Sequence, residues 1–547
     1  MTAFFKPFSK LEKTILFIIF ILYFHNLFID IMQVDAAQYA SISAQMSFTN
    51  SYLQVKEFIY DYLDKPPLLF WLSSSSFKLF GLSNFAYKLP AFLFLIFSLY
   101  GLYRFALLYY TPKIARNSLL ILASTQSYFL MTNDVRTDGL LTSSVIISVC
   151  FFSYYFEKGN WKNLVLGSVF TALAMMSKGP IGLVTVLLPI GIHLLYHKKW
   201  KHIFSLNWLL VFFIIAILLV PMSYGLYTQF DLHPEKITNG VKGQKGLYFF
   251  YWLQSFGRIT GENVWNNNQP WYFFINSSLW DFFPWFLPLL FALFYKIKSL
   301  FKPNKEIVEI ISISGFVLVF ILLSLSKYKL PHYVFVTFPF AAILVAEYFS
   351  KINEKIWRNW RILYFVLAVL ILILFIIYPL FFFTEINYLV FICIALQAFI
   401  LYQYYKSKEN SVAQLVSLIV MLNVFFSFVF YPKLLEFQSD SVAAKYVINS
   451  DVKEEVYLFE KHSHSFSFYI KNPFVKVIQK EQIQKIKKSF WIYLSQDELK
   501  ELADLKLNIT KKVSFADYPI TRLKMNFLLY DKRNNAVTTK FLIKVKN

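Results

Sequence analysis

The segment from Thr14 to Met32 is mostly apolar, with Asp30 near its end the one acidic or basic residue besides His25. Similar stretches recur at 89–110, 115–133, 138–156, 162–177, 180–196, 206–227, 272–295, 307–325, 332–349, 361–382, 386–405 and 411–430. A helix needs roughly 17–25 apolar residues to cross the hydrocarbon core, so the pattern predicts thirteen spans, several near the lower limit. One more apolar segment, Leu68–Leu82, is short and rich in serine, and is expected to lie along the membrane interface. The pattern changes at about residue 431. Beyond it, Glu455–Phe459, Phe466–Ile470 and Phe527–Tyr530 read as strands, and Gln496–Leu505 reads as a helix behind a serine cap. The expected architecture is therefore a polytopic α-helical membrane protein with a small C-terminal α/β domain.

Composition agrees with this class. Of 547 residues, 57% are hydrophobic and only 16% charged, against about 45–50% and about 25% in soluble domains. That excludes a soluble enzyme and a disordered chain. The net charge of +22 does not point to nucleic acid, because the cations sit in short loops between spans, as the positive-inside rule describes. Lys6, Lys10 and Lys13 precede the first span, and Lys113, Arg116, Lys158, Lys162, Lys198, Lys199 and Lys201 fill the next loops of the same parity. Lys296, Lys298, Lys302, Lys305, Lys351, Lys355, Arg358, Arg361, Lys406 and Lys408 continue the series. All fall on one side only if 68–82 does not cross, which puts the N-terminus in the cytoplasm and the tail outside. The first span is read as a retained helix, not a cleaved signal. Cys150 and Cys393 lie inside spans, so no disulfide framework is expected.

The outer segments carry the ionisable groups. They include Asp35-Ala-Ala-Gln-Tyr39, Asp64-Lys65-Pro-Pro-Leu-Leu-Phe-Trp71, Arg136-Thr-Asp138, Ser177-Lys178-Gly-Pro180, Phe256-Gly-Arg258-Ile-Thr-Gly261, Gln269-Pro-Trp-Tyr272 and Lys329-Leu-Pro-His332-Tyr333. Asp35 and Asp138 supply carboxylates from separate elements, and Lys65, Lys178, Arg258 and Lys329 supply cations. Gathered in one cavity, they would bind an anion and carry out acid–base chemistry. The anion would be a phosphate, whose oxygens suit Arg and Lys, and at this depth its carrier would be a lipid. Each residue also has a plainer reading. Asp138 fits the favourable end of a helix dipole, and Lys178 could only snorkel. His462 and His464 in the tail have no partners at metal spacing and are assigned nothing. No nucleotide-binding loop is present.

These motifs, in this order, resemble the bacterial relatives of the protein O-mannosyltransferases, and among them the aminoarabinose (lipid A) transferase-like glycosyltransferases of the GT-C class. The resemblance covers roughly residues 10–350. It implies a catalytic membrane module over 1–350 with outer loops at 33–88 and 228–271, further membrane helices over 351–430, and an extracytoplasmic domain over 431–547. Two departures stand out. Asp35 is followed by Ala36 where the family often has Asp-Glu, and 262–268 lacks a histidine that relatives often show there. A divalent cation is therefore not supported, and no other cofactor is identified.

The resemblance implies transfer, with inversion, of a sugar from a polyprenyl-phosphate donor to an acceptor hydroxyl of lipid A, a protein or a glycan at the outer face of a bacterial inner membrane. Asp35 is the expected base, with Asp138 orienting a substrate or exchanging roles with it. Lys65 and Arg258 are expected on the donor phosphate, with Lys178, Lys329 and His332 behind them, and Tyr39 and Trp71 on the substrate. The alternative is a transporter or flippase of lipid-linked sugars, which would place its charges at mid-membrane, often with inverted repeats.

Overall fold

The computed structural model describes residues 8–262, 265, 267–301, 308–382, 387–407 and 409–546. Lys6, Lys302, Lys305, Lys408 and residues 263, 264 and 266 of the histidine-lacking segment lie outside them. The chain begins with α1 (Lys10–His25), where Ser9 and Glu12 form a reciprocal capping box, and α2 (Asp35–Thr49). Next come α3 (Leu68–Phe80), α4 (Asn84–Tyr109), α5 (Pro112–Ala123) and α6 (Gln126–Asn133). They are followed by α7 (Thr137–Lys158), α8 (Trp161–Lys178) and α9 (Ile181–Tyr196). With 13 residues, α3 is too short to span, in keeping with an interfacial place.

Among the described residues seven helices are long and apolar enough to cross a bilayer. The number is eight if Phe273–Asp281 and Phe286–Leu300, bent by 118° at their break, form one span. The expected thirteen differ because apolar runs do not always make single straight helices. The run 115–133 divides into α5 and α6, since the Thr125 hydroxyl accepts the Tyr128 N–H and starts a new helix. The runs at 180–196 and 307–325 form helices of 16 and 14 residues.

Burial sorts the helices. Glu354–Phe381 and Tyr388–Lys406 are 28% buried over their most apolar windows, whereas Thr137–Lys158 is 89% and Pro331–Lys351 94% buried. The two most enclosed segments carry Asp138 and His332. Close approach around them depends on small residues: a Cβ on Gly182 would come within 2.5 Å of the Ala174 backbone, so α9 can pack directly on α8.

The tail holds a five-stranded sheet: β1 (Val456–Phe459), β2 (Val477–Ile478), β3 (Phe490–Ser495), β4 (Ile509–Asp517) and β5 (Thr538–Val545). Their spatial order is β2-β1-β3-β5-β4, with β1 parallel to both neighbours and the rest antiparallel. The expected strand at 455–459 and helix from 496 are present. Two expectations are corrected. Phe466–Ile470 lies in a helix, His464–Tyr469, because Ser463 caps it and the turn lays Phe466 on Tyr493, ring centroids 5.0 Å apart. Phe527–Tyr530 lies in two helical turns, where Phe527 stacks on Tyr518 at 3.8 Å and its carbonyl accepts from Arg533 Nε.

The tail packs on the membrane part. Gln438 accepts from the Gln33 N–H at 2.7 Å, Tyr469 accepts from the Ile31 N–H at 2.7 Å, and His464 Nε2 meets Glu57 at 2.9 Å.

Candidate active site

Residues at one end of the helix bundle make the site. Asp35 opens α2 after the chain leaves α1. Arg136 has extended backbone just before α7, and Asp138 lies in the first turn of that helix, where the dipole favours a carboxylate. Lys178 ends α8, and Gly179, at φ 83°, turns the chain beside the Phe250 carbonyl and Ser255 with no side chain in the way. His332 and Tyr333 follow Pro331 in a 3₁₀ stretch, and Arg258 lies in the short helix Phe256–Thr260. Asp64 and Lys65 precede the Pro-Pro pair that leads into α3.

Together they form one chain of contacts. Arg136 donates to Asp35 at 2.6 Å and to Asp134 at 2.8 Å, and its Nη1 lies 3.4 Å from His332 Nδ1. The other ring nitrogen of His332 is 3.6 Å from Asp138, whose second oxygen accepts from Lys178. The Lys178 ammonium sits 3.5 Å from the centre of the Tyr333 ring. The Tyr333 hydroxyl accepts from Arg258 at 2.7 Å, Arg258 lies 3.9 Å from Asp64, and Asp64 pairs with Lys65 at 2.6 Å.

The charge along this chain is polarised. At one end two carboxylates, Asp35 and Asp134, share a single guanidinium. In the middle Asp138 is matched by Lys178. At the other end two cations, Lys65 and Arg258, share Asp64. Burial would raise the pKa of Asp64, but Lys65 beside it, and then Arg258 and Lys178, hold it below its usual value. Burial pushes Asp134 up, and Arg136 only partly offsets this with Asp35 close by. The cationic end is desolvated: Arg258 is 6% exposed, and its Nε has no hydrogen-bond partner among the described residues.

Two cavities flank the chain. An apolar slot of about 50 Å³ runs between Leu141, Ile181, Leu322 and Val336, with Lys178 and Arg258 on its wall. A second cavity, of about 540 Å³, is lined by Asp134, Arg136, Asp138 and His332, and by Thr521 and Arg522 from the tail.

Of the residues expected from sequence, Asp35, Asp138, Lys65, Lys178, Arg258 and His332 are all in this chain. Tyr39 is buried in the helix of Asp35, with its ring edge-on to Phe70 at 5.9 Å. Trp71 lines a small cavity with Asp64, Lys65 and Gln254 and donates to the Tyr52 carbonyl at 2.6 Å. Lys329 lies apart: its ammonium donates to the Gln269 carbonyl at 3.0 Å and its N–H to Asn267, so it secures the loop that ends at 271. Sequence reading assigned no role to Asp64, Asp134, Arg136 or Tyr333. All four stand inside or beside the quoted motifs, and the ionisable ones could have been found by asking what balances each cation.

Residues 64–224 match the family model described as dolichyl-phosphate-mannose-protein mannosyltransferase. The chain is 25% identical over 359 residues to the undecaprenyl phosphate-alpha-4-amino-4-deoxy-L-arabinose arabinosyl transferase of Wigglesworthia glossinidia brevipalpis, covering 63% of this chain and 60% of that one. It is 28% identical over 298 residues to an uncharacterized protein of Aquifex aeolicus (strain VF5), covering 53% and 61%. The match thus spans about three fifths of the length of these curated relatives. The crystal structure of ArnT from Cupriavidus metallidurans bound to undecaprenyl phosphate superposes with a TM-score of 0.72 over 97% of both chains, at 14% identity. The chain resembles the GT-C glycosyltransferases of the aminoarabinose-transferase and protein-mannosyltransferase type. The family model matches within the membrane part, and the likeness to ArnT is one of fold over almost the whole length.

Proposed function

We propose that this chain is a membrane glycosyltransferase that moves a sugar from a polyprenyl-phosphate donor to an acceptor hydroxyl. The observation that carries this reading is the polarised charge chain, with surplus carboxylate at Asp35 and Asp134 and surplus cation at Lys65 and Arg258. The acceptor oxygen attacks the anomeric carbon from the face opposite the phosphate, so the configuration inverts. Its proton passes to Asp35, the more exposed of the paired carboxylates, with 36% of its side chain open against 6% for Asp138. The bond from the anomeric carbon to the phosphate oxygen breaks, and polyprenyl phosphate leaves as a stable anion that needs no acid. Arg258 and Lys65, desolvated in advance, stabilise the charge that builds on it. The apolar slot beside Lys178 and Arg258 suits the first isoprene units of the donor. A transporter would spread its charges near mid-membrane, whereas these stand at helix ends.

In this reading the protein lies in a bacterial inner membrane with its N-terminus in the cytoplasm and the site and tail outside. The acceptor is an envelope lipid such as lipid A, a protein or a glycan. The experiment is transfer from polyprenyl-phosphate sugars to envelope extract by purified protein, alongside Asp35→Asn and Arg258→Ala. Equal transfer by all three proteins would overturn the reading.

A further inference from the structure

The sheet of the tail changes direction at β1. The chain leaves β1 through the helix His464–Tyr469 to reach β2 on one side, then returns past β1 to β3 on the other. In open α/β sheets such a reversal leaves a crevice beyond the carboxyl ends of the two parallel strands, and ligands bind there. A cavity of about 320 Å³ lies at this point, lined by Leu458 and Phe459 of β1, Tyr493 to Ser495 of β3 and Lys461 to Ser465, the turn into the helix His464–Tyr469. That volume is at the lower end of small-molecule sites.

Its chemistry is that of a hydroxyl-binding site. Ser463, Ser465, Tyr493 and Ser495 line it, and the His462 ring stacks on Phe58 at 3.9 Å. The Ser463 and Tyr493 hydroxyls donate to Asp440 and the Ser495 hydroxyl accepts the Glu498 N–H, which leaves Ser465 as the hydroxyl open to a ligand. The charges are largely spent on each other. Lys540 pairs with Asp440 at 2.7 Å, and Glu498 accepts the Ser495 N–H at 2.6 Å. Several polar atoms are not satisfied: the Ser465 hydroxyl and the Nδ1 atoms of His462 and His464 are buried with no hydrogen-bond partner among the described residues. The far wall is Gln33, Val34 and Ala37, the start of the helix that carries Asp35.

We propose that this crevice binds the carbohydrate head of the acceptor and selects it, holding the reacting hydroxyl's neighbours within a helical turn of Asp35. The assignment rests on the transfer reading above, and its tests are separable from that reading.

The full-length protein in lipid nanodiscs would be assayed for hydrolysis of a polyprenyl-phosphate sugar by water and for transfer to envelope extract. Lys461→Trp places bulk at the exposed rim, and Ser465→Ala removes the unpartnered hydroxyl from the lining. Both are expected to keep hydrolysis near the wild-type rate. Transfer should fall about tenfold in Lys461→Trp through a higher KM for acceptor, and less in Ser465→Ala, as loss of one hydrogen bond dictates. Oligosaccharide released from the envelope by mild acid, titrated by calorimetry, should bind wild type and bind Lys461→Trp about tenfold more weakly. Unchanged transfer and unchanged oligosaccharide binding in a folded Lys461→Trp would overturn the proposal. Binding of inorganic phosphate in place of oligosaccharide would also overturn it. Absence of both hydrolysis and transfer in wild type would instead defeat the transfer reading, and the titration would still decide the crevice.

Discussion

Arg136 holds two carboxylates at once: Nη1 donates to Asp35 at 2.6 Å and Nε donates to Asp134 at 2.8 Å. The residue thus fixes the geometry of the proposed base and balances only half the negative charge around it. A lysine has one nitrogen on a flexible stem and cannot make both bonds in fixed directions. Arg136→Lys is expected to lower kcat on the order of 10²-fold with a small change in KM for donor, since misplacing a reacting group by about 1 Å costs that much. Steady-state kinetics on both variables checks this, and an unchanged kcat would detach Arg136 from the base.

The cationic end should behave differently. Arg258→Ala removes a desolvated charge from the leaving phosphate and is expected to cost on the order of 10²–10³ in kcat, by the measure of a lost oxyanion donor. Tyr333→Phe removes only the hydroxyl that accepts from Arg258 at 2.7 Å, and about tenfold is expected. If Tyr333→Phe were the more damaging, the hydroxyl itself would be acting on substrate.

Asp138 and Lys178 form an enclosed pair, with side chains 6% and 9% exposed. Asp138→Asn alone leaves a buried ammonium without its charge partner, and a loss of about 3–5 kcal/mol in stability is expected. The double variant Asp138→Leu with Lys178→Met should recover most of that stability while remaining inactive. Thermal unfolding in detergent separates the two effects. A double variant as unstable as the single one would show that the pair does not account for the loss.

Gly182 lets α9 touch the Ala174 backbone four residues before Lys178. Gly182→Leu must push the two helices apart, which displaces Lys178 without altering any charged group. Transfer is expected to drop on the order of 10²-fold. Full activity in this variant would mean that the position of Lys178 is not critical.

In the tail, Asp440 accepts from Lys540 at 2.7 Å, Tyr493 at 2.8 Å and Ser463 at 2.6 Å, and from Gln33 of the membrane part at 3.2 Å. Burial would raise its pKa, but Lys540 and the hydroxyls outweigh burial and depress it. Lys540 moves the other way: burial would lower its pKa, and Asp440 and Asp517 raise it. A depressed carboxylate stabilises the fold above its ordinary pKa of about 3.9, and that contribution fades as pH falls through its folded value. A raised lysine stabilises below about 10.4, and its contribution fades as pH rises past its folded value. Asp440→Asn should therefore cost about 2–3 kcal/mol near neutrality and progressively less below about pH 4. Unfolding curves from acid to neutral pH test the sign. A difference that grows toward acid would contradict it.

Much of the fold was legible in the order of apolar and polar residues. Bilayer thickness sets the length of an apolar run, so the membrane class and most helices follow from counting. The side on which Lys and Arg accumulate separated α3 from the spans. Where the reading failed, the pattern was ambiguous. Ser465-Phe-Ser-Phe468 alternates like a strand, yet Ser463 caps a helix there and Tyr493 receives the Phe466 ring. The break of 115–133 at Thr125 turned on one hydroxyl.

For the candidate site, residue types and motif order by themselves selected Asp35, Asp138, Lys65, Lys178, Arg258 and His332, because charge at the end of an apolar span is costly unless it is used or paired. Only the tertiary structure decided how they pair. Asp35 and Arg136 are 101 residues apart, and Asp138 and His332 are 194 apart, so no local pattern encodes their contact. Helix packing brings those ends together, and with them the charge gradient on which the proposed base and the proposed seat for phosphate rest.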